Sequence, residues 1–267
     1  MLNDALYAHI KSLPPLPQSV VKIQRICSDP SSSVSDLTKV IELDPMLTAN
    51  ILKAANSPLY GFSRAIKTLA QAVSLFGMST VRGFALAGAI KSTIPINMSP
   101  YRISPERFAD LSLIQNALMV RWYSQVSRHM LEVLSPSAFL SGVGRLIISQ
   151  EIIKSGKTEL FISKSVTNGL AAAEMELFGV TYQEVSSSVF SHWLFEPEMV
   201  EAIGGSVNPS SVSPSMSPYA FALKVVQTAV EIPNGVSEQS VLDAAEAVAS
   251  GGGAKEVFLK AANGFVK

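Results

Sequence analysis

The chain has 267 residues, of which 48% are apolar and only 16% are charged, against about 25% charged residues in an average soluble protein. This composition excludes a disordered chain and a heavily charged coiled coil. Lysine plus arginine and aspartate plus glutamate both number 21, so no basic excess directs the chain to nucleic acid or to an anionic membrane. The single cysteine, Cys27, excludes an internal disulfide.

The N-terminal sequence 1–5 lacks the cationic start and the long apolar run of a signal peptide. Uninterrupted apolar runs, such as Phe84 to Ala87, are far shorter than the roughly 20 residues of a membrane span. We therefore expect a cytoplasmic protein with no membrane or nucleic-acid partner and no cofactor.

Helical spacing of apolar residues dominates the first third of the chain. Residues 34–41 have one apolar face, and Asp44 followed by Pro45 is typical of a new helix start. This second helix is predicted to stop at residues 56–58, because a residue before proline is pushed out of the helical region. A break is predicted at Gly77, with another helix after it.

Later helices are predicted to open at Ser104-Pro105 and at Ser135-Pro136. Further helices are expected at about 158–178, 182–194, 196–204, 217–231 and 237–249, with loops at 206–218 and 250–253. No stretch shows the alternation of a strand. The predicted fold is all-α: a smaller N-terminal helical bundle over residues 1–95, then a larger multi-helix bundle over residues 96–267.

Residues that could perform catalysis are sparse. The histidines His9, His129 and His192 have no second histidine at helical spacing, and residues 111–242 contain no aspartate, whereas hydrolytic metal sites need clustered histidine and carboxylate ligands. The glycine pair at 142–144 lacks the third glycine and the lysine of phosphate-binding loops. We predict no catalytic residue and no metal ligand.

Three arginines are candidate contacts for an anion or nucleotide: Arg121, Arg128 and Arg145. Arg121 and Arg128 are seven residues apart, which predicts one helix face, with aromatic residues nearby. A solvated helix face explains the same pair without any ligand. Cys27 lies beside Ile26 on an apolar face, and a small buried hydrophobe is a more frequent role there than a reactive thiol.

Several motifs resemble one known family. They are the run 13–17 (LPPLP), the segment 44–49 (DPMLTA), the segment 52–61 (LKAANSPLYG) and the segment 72–77 (AVSLFG) followed by Val81-Arg82. In order and spacing they resemble the HDOD (HD-related output domain) family of bacterial signalling proteins. The likeness resumes after residue 92 in the segments 144–146, 176–179 and 193–203.

The resemblance implies a helical domain similar to the HD superfamily of metal-dependent phosphohydrolases. It also implies where ligands of the hydrolase metal would stand, and none of these positions holds a histidine or an aspartate. The residues found there are Leu111, the doublet Ser141-Gly142, Tyr182 and the pair Ser206-Val207. Their side chains are poor ligands for a divalent cation.

The resemblance therefore implies a non-catalytic signal-transduction output or adaptor domain that acts through protein contacts. A signalling partner protein is expected, and a homodimer is possible. Asn56, Ser57 and Tyr60 are the candidate partner surface, although a purely architectural role in ending a helix explains them as well. The alternative is a nucleotide-binding effector that uses the remnant of the hydrolase cleft. A surviving phosphohydrolase is a third, weaker hypothesis.

Overall fold

The structure is a computed structural model, and residues 4–29 and 31–266 are described here. Apart from one isolated β-bridge between Glu231 and Gly235, these described residues contain helices, turns and irregular segments. The prediction of an all-α fold is confirmed, with a smaller N-terminal bundle beside a larger one.

Among the described residues up to 93, the chain forms five α-helices. They are α1 (Asp4–Lys11), α2 (Gln18–Ser28), α3 (Val34–Glu42), α4 (Pro45–Ala55) and α5 (Leu69–Thr93). The predicted start of α4 is confirmed, since the Asp44 side chain accepts a hydrogen bond from the Leu47 backbone N–H at 3.0 Å. The predicted break at Gly77 is confirmed too. Its φ of +79° interrupts α5, a conformation that suits a residue without a Cβ.

Ten helices follow. They are α6 (Pro105–Val126), α7 (Leu131–Leu140), α8 (Val143–Lys154), α9 (Thr158–Asn168), α10 (Leu170–Phe178), α11 (Tyr182–His192), α12 (Pro197–Gly205), α13 (Ser217–Ala229), α14 (Glu238–Ser250) and α15 (Lys255–Ala262). The sequence did not predict α15. The single helix predicted over 158–178 is wrong, because Gly169, at φ +86° and ψ 160°, separates α9 from α10.

The helix start predicted at Ser135-Pro136 is also wrong, because Pro136 lies inside α7. A proline there leaves the carbonyl of Glu132, four residues earlier, without its helical donor. The Arg82 side chain of α5 donates to that carbonyl at 3.5 Å. A tertiary contact thus replaces the missing hydrogen bond, which local sequence rules do not anticipate.

In the part of the chain that the structure describes, buried apolar side chains form two cores. The smaller core runs from Ile23 to Ala85. The larger core takes in α6 to α15 and also Leu6 and Ile10, because α1 packs on α8 and α11. Leu16 and Val20, which follow α1 in the chain, belong to this core too. The cores therefore do not divide at residue 95, and α5 contributes to both. A separation into the domains 1–95 and 96–267 stays a prediction.

Two stretches, Leu69–Lys91 and Leu131–Lys154, are long and apolar enough to cross a membrane by length and composition alone. In their most apolar windows, 56% and 78% of the residues are buried inside the protein, as in the core helices of a folded domain. The sequence argument considered only uninterrupted apolar runs and so overlooked both. They are weak evidence for a span, and the cytoplasmic location stays a prediction.

Candidate functional site

A chain of buried polar groups, here called the polar bridge, joins the two bundles. The Tyr60 hydroxyl donates to Asn116 Oδ1 at 2.5 Å. Asn116 Nδ2 donates to the Ser135 carbonyl at 2.8 Å and to its hydroxyl at 3.0 Å. The Ser135 and Thr80 hydroxyls lie 2.8 Å apart. Burial raises the pKa of Tyr60 far above its ordinary value, so this phenol stays a neutral donor.

Asn56 closes α4, as the architectural interpretation predicted. Its Nδ2 donates to the carbonyls of Leu52 and Ile66, both at 2.8 Å, and its Oδ1 accepts from the Ile66 N–H at 2.8 Å. Ser57 was expected to satisfy the last carbonyls of α4 as well, and this is wrong. Its hydroxyl accepts from the Leu59 N–H at 3.4 Å and caps the following 3-10 turn.

The candidate partner surface thus uses its hydrogen-bonding groups within the chain. Replacing Tyr60 with phenylalanine removes the donor to the buried Asn116 carbonyl group, and we expect a loss of about 1–3 kcal/mol in the free energy of unfolding. Urea unfolding measures it. The control is Tyr7→Phe, whose side chain is 55% exposed and which should change stability by less than about 0.5 kcal/mol. Equal stability of the two variants would contradict the polar bridge.

The three candidate arginines have different neighbours. Arg121 donates to the carbonyls of Leu59 at 2.5 Å and Asn263 at 3.3 Å, and its guanidinium lies 4.4 Å from the ring centre of Phe265. It ties the C-terminal segment to the turn beside Tyr60. The shared helix face predicted for Arg121 and Arg128 is wrong, because α6 ends at residue 126.

Arg145, on α8, is the centre of a buried charged group. Its guanidinium carbon lies 3.3 Å from the ring centre of Tyr182, and its Nε lies 3.7 Å from Glu174 Oε1. The same carboxylate accepts from the Tyr101 hydroxyl and from the Tyr182 backbone N–H, both at 2.9 Å. We call Arg145, Glu174, Tyr101 and Tyr182 the buried arginine site.

The electrostatics of this site follow from burial. Burial raises the pKa of Glu174 above its ordinary value, against the opposing effects of Arg145 and of the two donors. Burial likewise raises the pKa of Tyr101 and of Tyr182. Both phenols therefore stay protonated near neutral pH, and the Tyr101 hydroxyl remains a donor to the carboxyl group.

A large groove, the inter-bundle groove, runs between the two bundles with a volume of about 900 Å³. Within it Arg82 forms an ion pair with Glu196, and the Ser28 hydroxyl donates to the same carboxylate at 2.6 Å. Burial acts to raise the pKa of Glu196, but the Arg82 guanidinium holds this pKa below its ordinary value. Arg128 lines this groove.

Cys27 also lines the inter-bundle groove. Burial raises the pKa of its thiol from 9.0 to about 11, so very little reactive thiolate is present near neutral pH. The thiol is only partly buried, but its raised pKa agrees with the interpretation of Cys27 as a small apolar residue rather than a reactive thiol.

The positions that the resemblance gives to metal ligands do not fit a divalent cation. Leu111 is fully buried, a side chain on Gly142 would meet the Phe108 ring at 3.1 Å, and Tyr182 is covered by the Arg145 cation. The Ser206 hydroxyl donates to a backbone carbonyl of its own helix. Among the described residues, no group of three or more His, Cys, Asp or Glu is placed to hold a metal ion.

Sequence reasoning missed three of these charged residues, namely Arg82, Glu174 and Glu196. The usable signal lies in the arginines, because Arg82 and Arg145 interrupt apolar helix segments and a buried arginine needs a partner. The partners themselves are 114 and 29 residues away, which no local pattern reveals.

Comparison with known proteins identifies the family. The sequence model of the HDOD domain matches residues 13–209. An uncharacterized protein of Treponema pallidum (strain Nichols) is 30% identical over 77 residues, which are 29% of this chain and 15% of that protein. The matched segment thus spans a small part of the curated relative.

Three solved structures are similar over nearly the whole chain. A virulence factor from Campylobacter jejuni subsp. jejuni is 26% identical, with a TM-score of 0.60 over 98% of this chain and 97% of that one. A candidate phosphohydrolase from Shewanella amazonensis SB2B is 21% identical, with a TM-score of 0.67 over 97% and 93%. A candidate signal transduction protein from Marinobacter aquaeolei VT8 is 19% identical, with a TM-score of 0.67 over 96% and 61%.

Proposed function

The chain belongs to the HDOD domain family, and on that premise we propose that it is a non-catalytic, cytoplasmic signalling module that binds a partner protein in the inter-bundle groove. A signalling role fits the family and the solved relative from Marinobacter. The non-catalytic nature and the mode of binding rest on the geometry of this chain.

The observation that carries the proposal is the apolar lining of the groove. Leu75 is 52% exposed there, and Phe76, Met78, Leu131 and Val133 line the same groove while only partly buried. Exposed apolar surface next to a concavity is typical of a binding site. Both bundles contribute to the lining, so a partner seated here contacts both at once.

Charge in the groove indicates the kind of partner. Arg82 and Glu196 neutralise each other, which leaves the exposed acids Asp29, Glu132 and Glu198 against the exposed Arg128. The remaining charged side chains of the groove therefore carry a net negative charge. A partner segment with apolar side chains and one or more lysines or arginines therefore has the complementary chemistry.

The non-catalytic half of the proposal is supported by the buried arginine site. Tyr182 stands at one of the positions that the resemblance gives to a metal ligand, and its ring is stacked against the Arg145 guanidinium. The nearby Glu174 carboxylate pairs with Arg145 and accepts hydrogen bonds from the Tyr101 hydroxyl and the Tyr182 N–H. A cation already fixed against these groups repels a second one. The candidate phosphohydrolase from Shewanella shows only that this fold is shared.

The test is affinity capture from extract of the native host. We expect a reproducible partner whose recovery falls at least tenfold with the groove variant Leu75→Ser/Glu198→Lys. The matched control, Leu43→Ser/Glu42→Lys, makes the same changes at exposed positions outside the groove and should retain the partner. An untagged second copy of the chain as the recovered protein would identify a homodimer.

Equal recovery with both variants would contradict the groove as the binding surface, and an empty capture would contradict the protein-contact mode. The non-catalytic half is tested separately, with the chain purified without chelator and then supplied with Mn²⁺ and a chromogenic phosphodiester. Hydrolysis above that of Mn²⁺ alone would overturn it.

A further inference from the structure

A second cavity lies beside the buried arginine site, separate from the inter-bundle groove. Its volume is about 440 Å³, within the range of sites for small ligands. The lining residues that matter here are Tyr101, Arg102, Arg145, Gln227 and Glu231. None of them lines the groove.

Two lining side chains carry a buried N–H group without an acceptor. Arg145 is more than nine-tenths buried, and its Nε has no hydrogen-bond partner, since Glu174 is 3.7 Å away. Gln227 accepts from Gln183 through its Oε1 at 3.3 Å, and its Nε2 is buried without an acceptor. Buried donors of this kind normally have a partner.

Both unsatisfied groups are donors, so a ligand that completes them must accept hydrogen bonds, as a carboxylate or phosphate does. Arg145 is already paired with Glu174. The other charged lining residues are Arg102 and Glu231, whose carboxylate accepts from the Asn234 side chain at 3.2 Å. Arg102 is exposed, and its φ of +57° is a backbone conformation that residues with a Cβ seldom adopt. Such conformations cluster at binding sites.

Size and polarity narrow the ligand further. The cavity is much larger than an inorganic anion, and the apolar residues Leu170, Ile232 and Pro233 also line it. We propose that this cavity binds a small organic anion, with its carboxylate or phosphate group on Arg145 and Gln227 and its body on the apolar residues. A stacked, pre-oriented guanidinium suits either group.

The inference goes beyond the proposed partner binding, and its test uses the purified full chain alone. Calorimetric titration is carried out with phosphate esters (cyclic and linear nucleoside monophosphates) in one arm and with carboxylates (succinate, citrate and benzoate) in the other. We expect saturable binding of at least one compound, and the arm in which it falls identifies the anionic group.

Variants then place the site. We expect Gln227→Leu to weaken binding at least tenfold and Arg102→Ala severalfold. Arg64→Ala, which changes an exposed arginine that lines neither the cavity nor the groove, should leave binding unchanged. Gln227 and Arg102 are chosen because an Arg145 variant loses its buried ion pair and is at risk of unfolding. No binding in either arm, or binding that is unchanged in both cavity variants, would overturn the inference.

Discussion

Replacing Glu174 with alanine is expected to lower the free energy of unfolding by at least about 3–5 kcal/mol, the cost of leaving a buried charge without its partner. Arg145 would lose its counter-charge, and the Tyr101 hydroxyl and Tyr182 N–H would lose their acceptor. All of these groups are buried. Urea unfolding of wild type and variant, followed by circular dichroism, measures the difference.

The control is Glu176→Ala, two residues along the same helix. Glu176 is half exposed and pairs with Lys164 at the surface, where an ion pair contributes less than about 1 kcal/mol. Both variants replace a glutamate of α10 with alanine, so the change in helix propensity is the same in both and cancels when their stabilities are compared. Similar losses in both would contradict the buried arginine site as a stabilising group.

A glutamine at position 174 separates charge from hydrogen bonding. It keeps an acceptor for Tyr101 or Tyr182, and burial already raises the pKa of Glu174 above its ordinary value of 4.5, so the uncharged side chain should cost less than alanine. A raised folded-state pKa favours folding most below pH 4.5 and less as the pH rises. The advantage of wild type over Glu174→Gln should therefore narrow as the pH rises above 4.5.

The features that sequence predicts well are local. Asp44 and Pro45 define a helix start, and Gly77 defines a break, because each acts on backbone groups within a few residues of itself. The errors arise where a distant side chain supplies what the local rule lacks. Pro136 continues a helix because Arg82, 50 residues away from the Glu132 carbonyl, replaces the lost donor.

In the candidate site, too, sequence predicts the features with local causes and misses those that depend on distant segments. Asn56 was predicted as a helix stop from its own neighbourhood, and its hydrogen bonds confirm this. Arg128 was placed on a helix face that ends two residues earlier, since element boundaries are the least certain part of a sequence prediction. The cavity beside Arg145 is formed by segments from residue 100 to residue 234, and its existence depends on how the helices pack.

At Gly144, helix propensity and tertiary packing favour different residues. It lies within α8, where alanine is normally favoured over glycine by about 0.5–1 kcal/mol. In the folded protein, however, a Cβ at this position would lie 2.1 Å from the Tyr182 carbonyl oxygen and 2.7 Å from the Ser186 backbone nitrogen. These are backbone atoms of α11, so only a separation of the two helices relieves the clash.

We therefore expect Gly144→Ala to destabilise the protein by about 3 kcal/mol or more, at the upper end of the range for overpacking. The Gly144 N–H also donates to the Ser186 hydroxyl at 2.7 Å, and that bond is strained by the same separation. Gly88→Ala is the matched control, because its Cβ would meet the nearest side chains at an ordinary 3.7 Å. It should stabilise the protein slightly.

Opposite signs for two glycine-to-alanine changes inside helices would establish that the α8–α11 contact, rather than helix propensity, requires glycine at 144. The same contact positions Arg145 on α8 against Tyr182 at the start of α11. Separation of the helices should therefore also disturb the cavity, and binding of any anion found there should weaken in Gly144→Ala under conditions where the variant remains folded. A stabilised Gly144→Ala variant would contradict the close approach of the two helices.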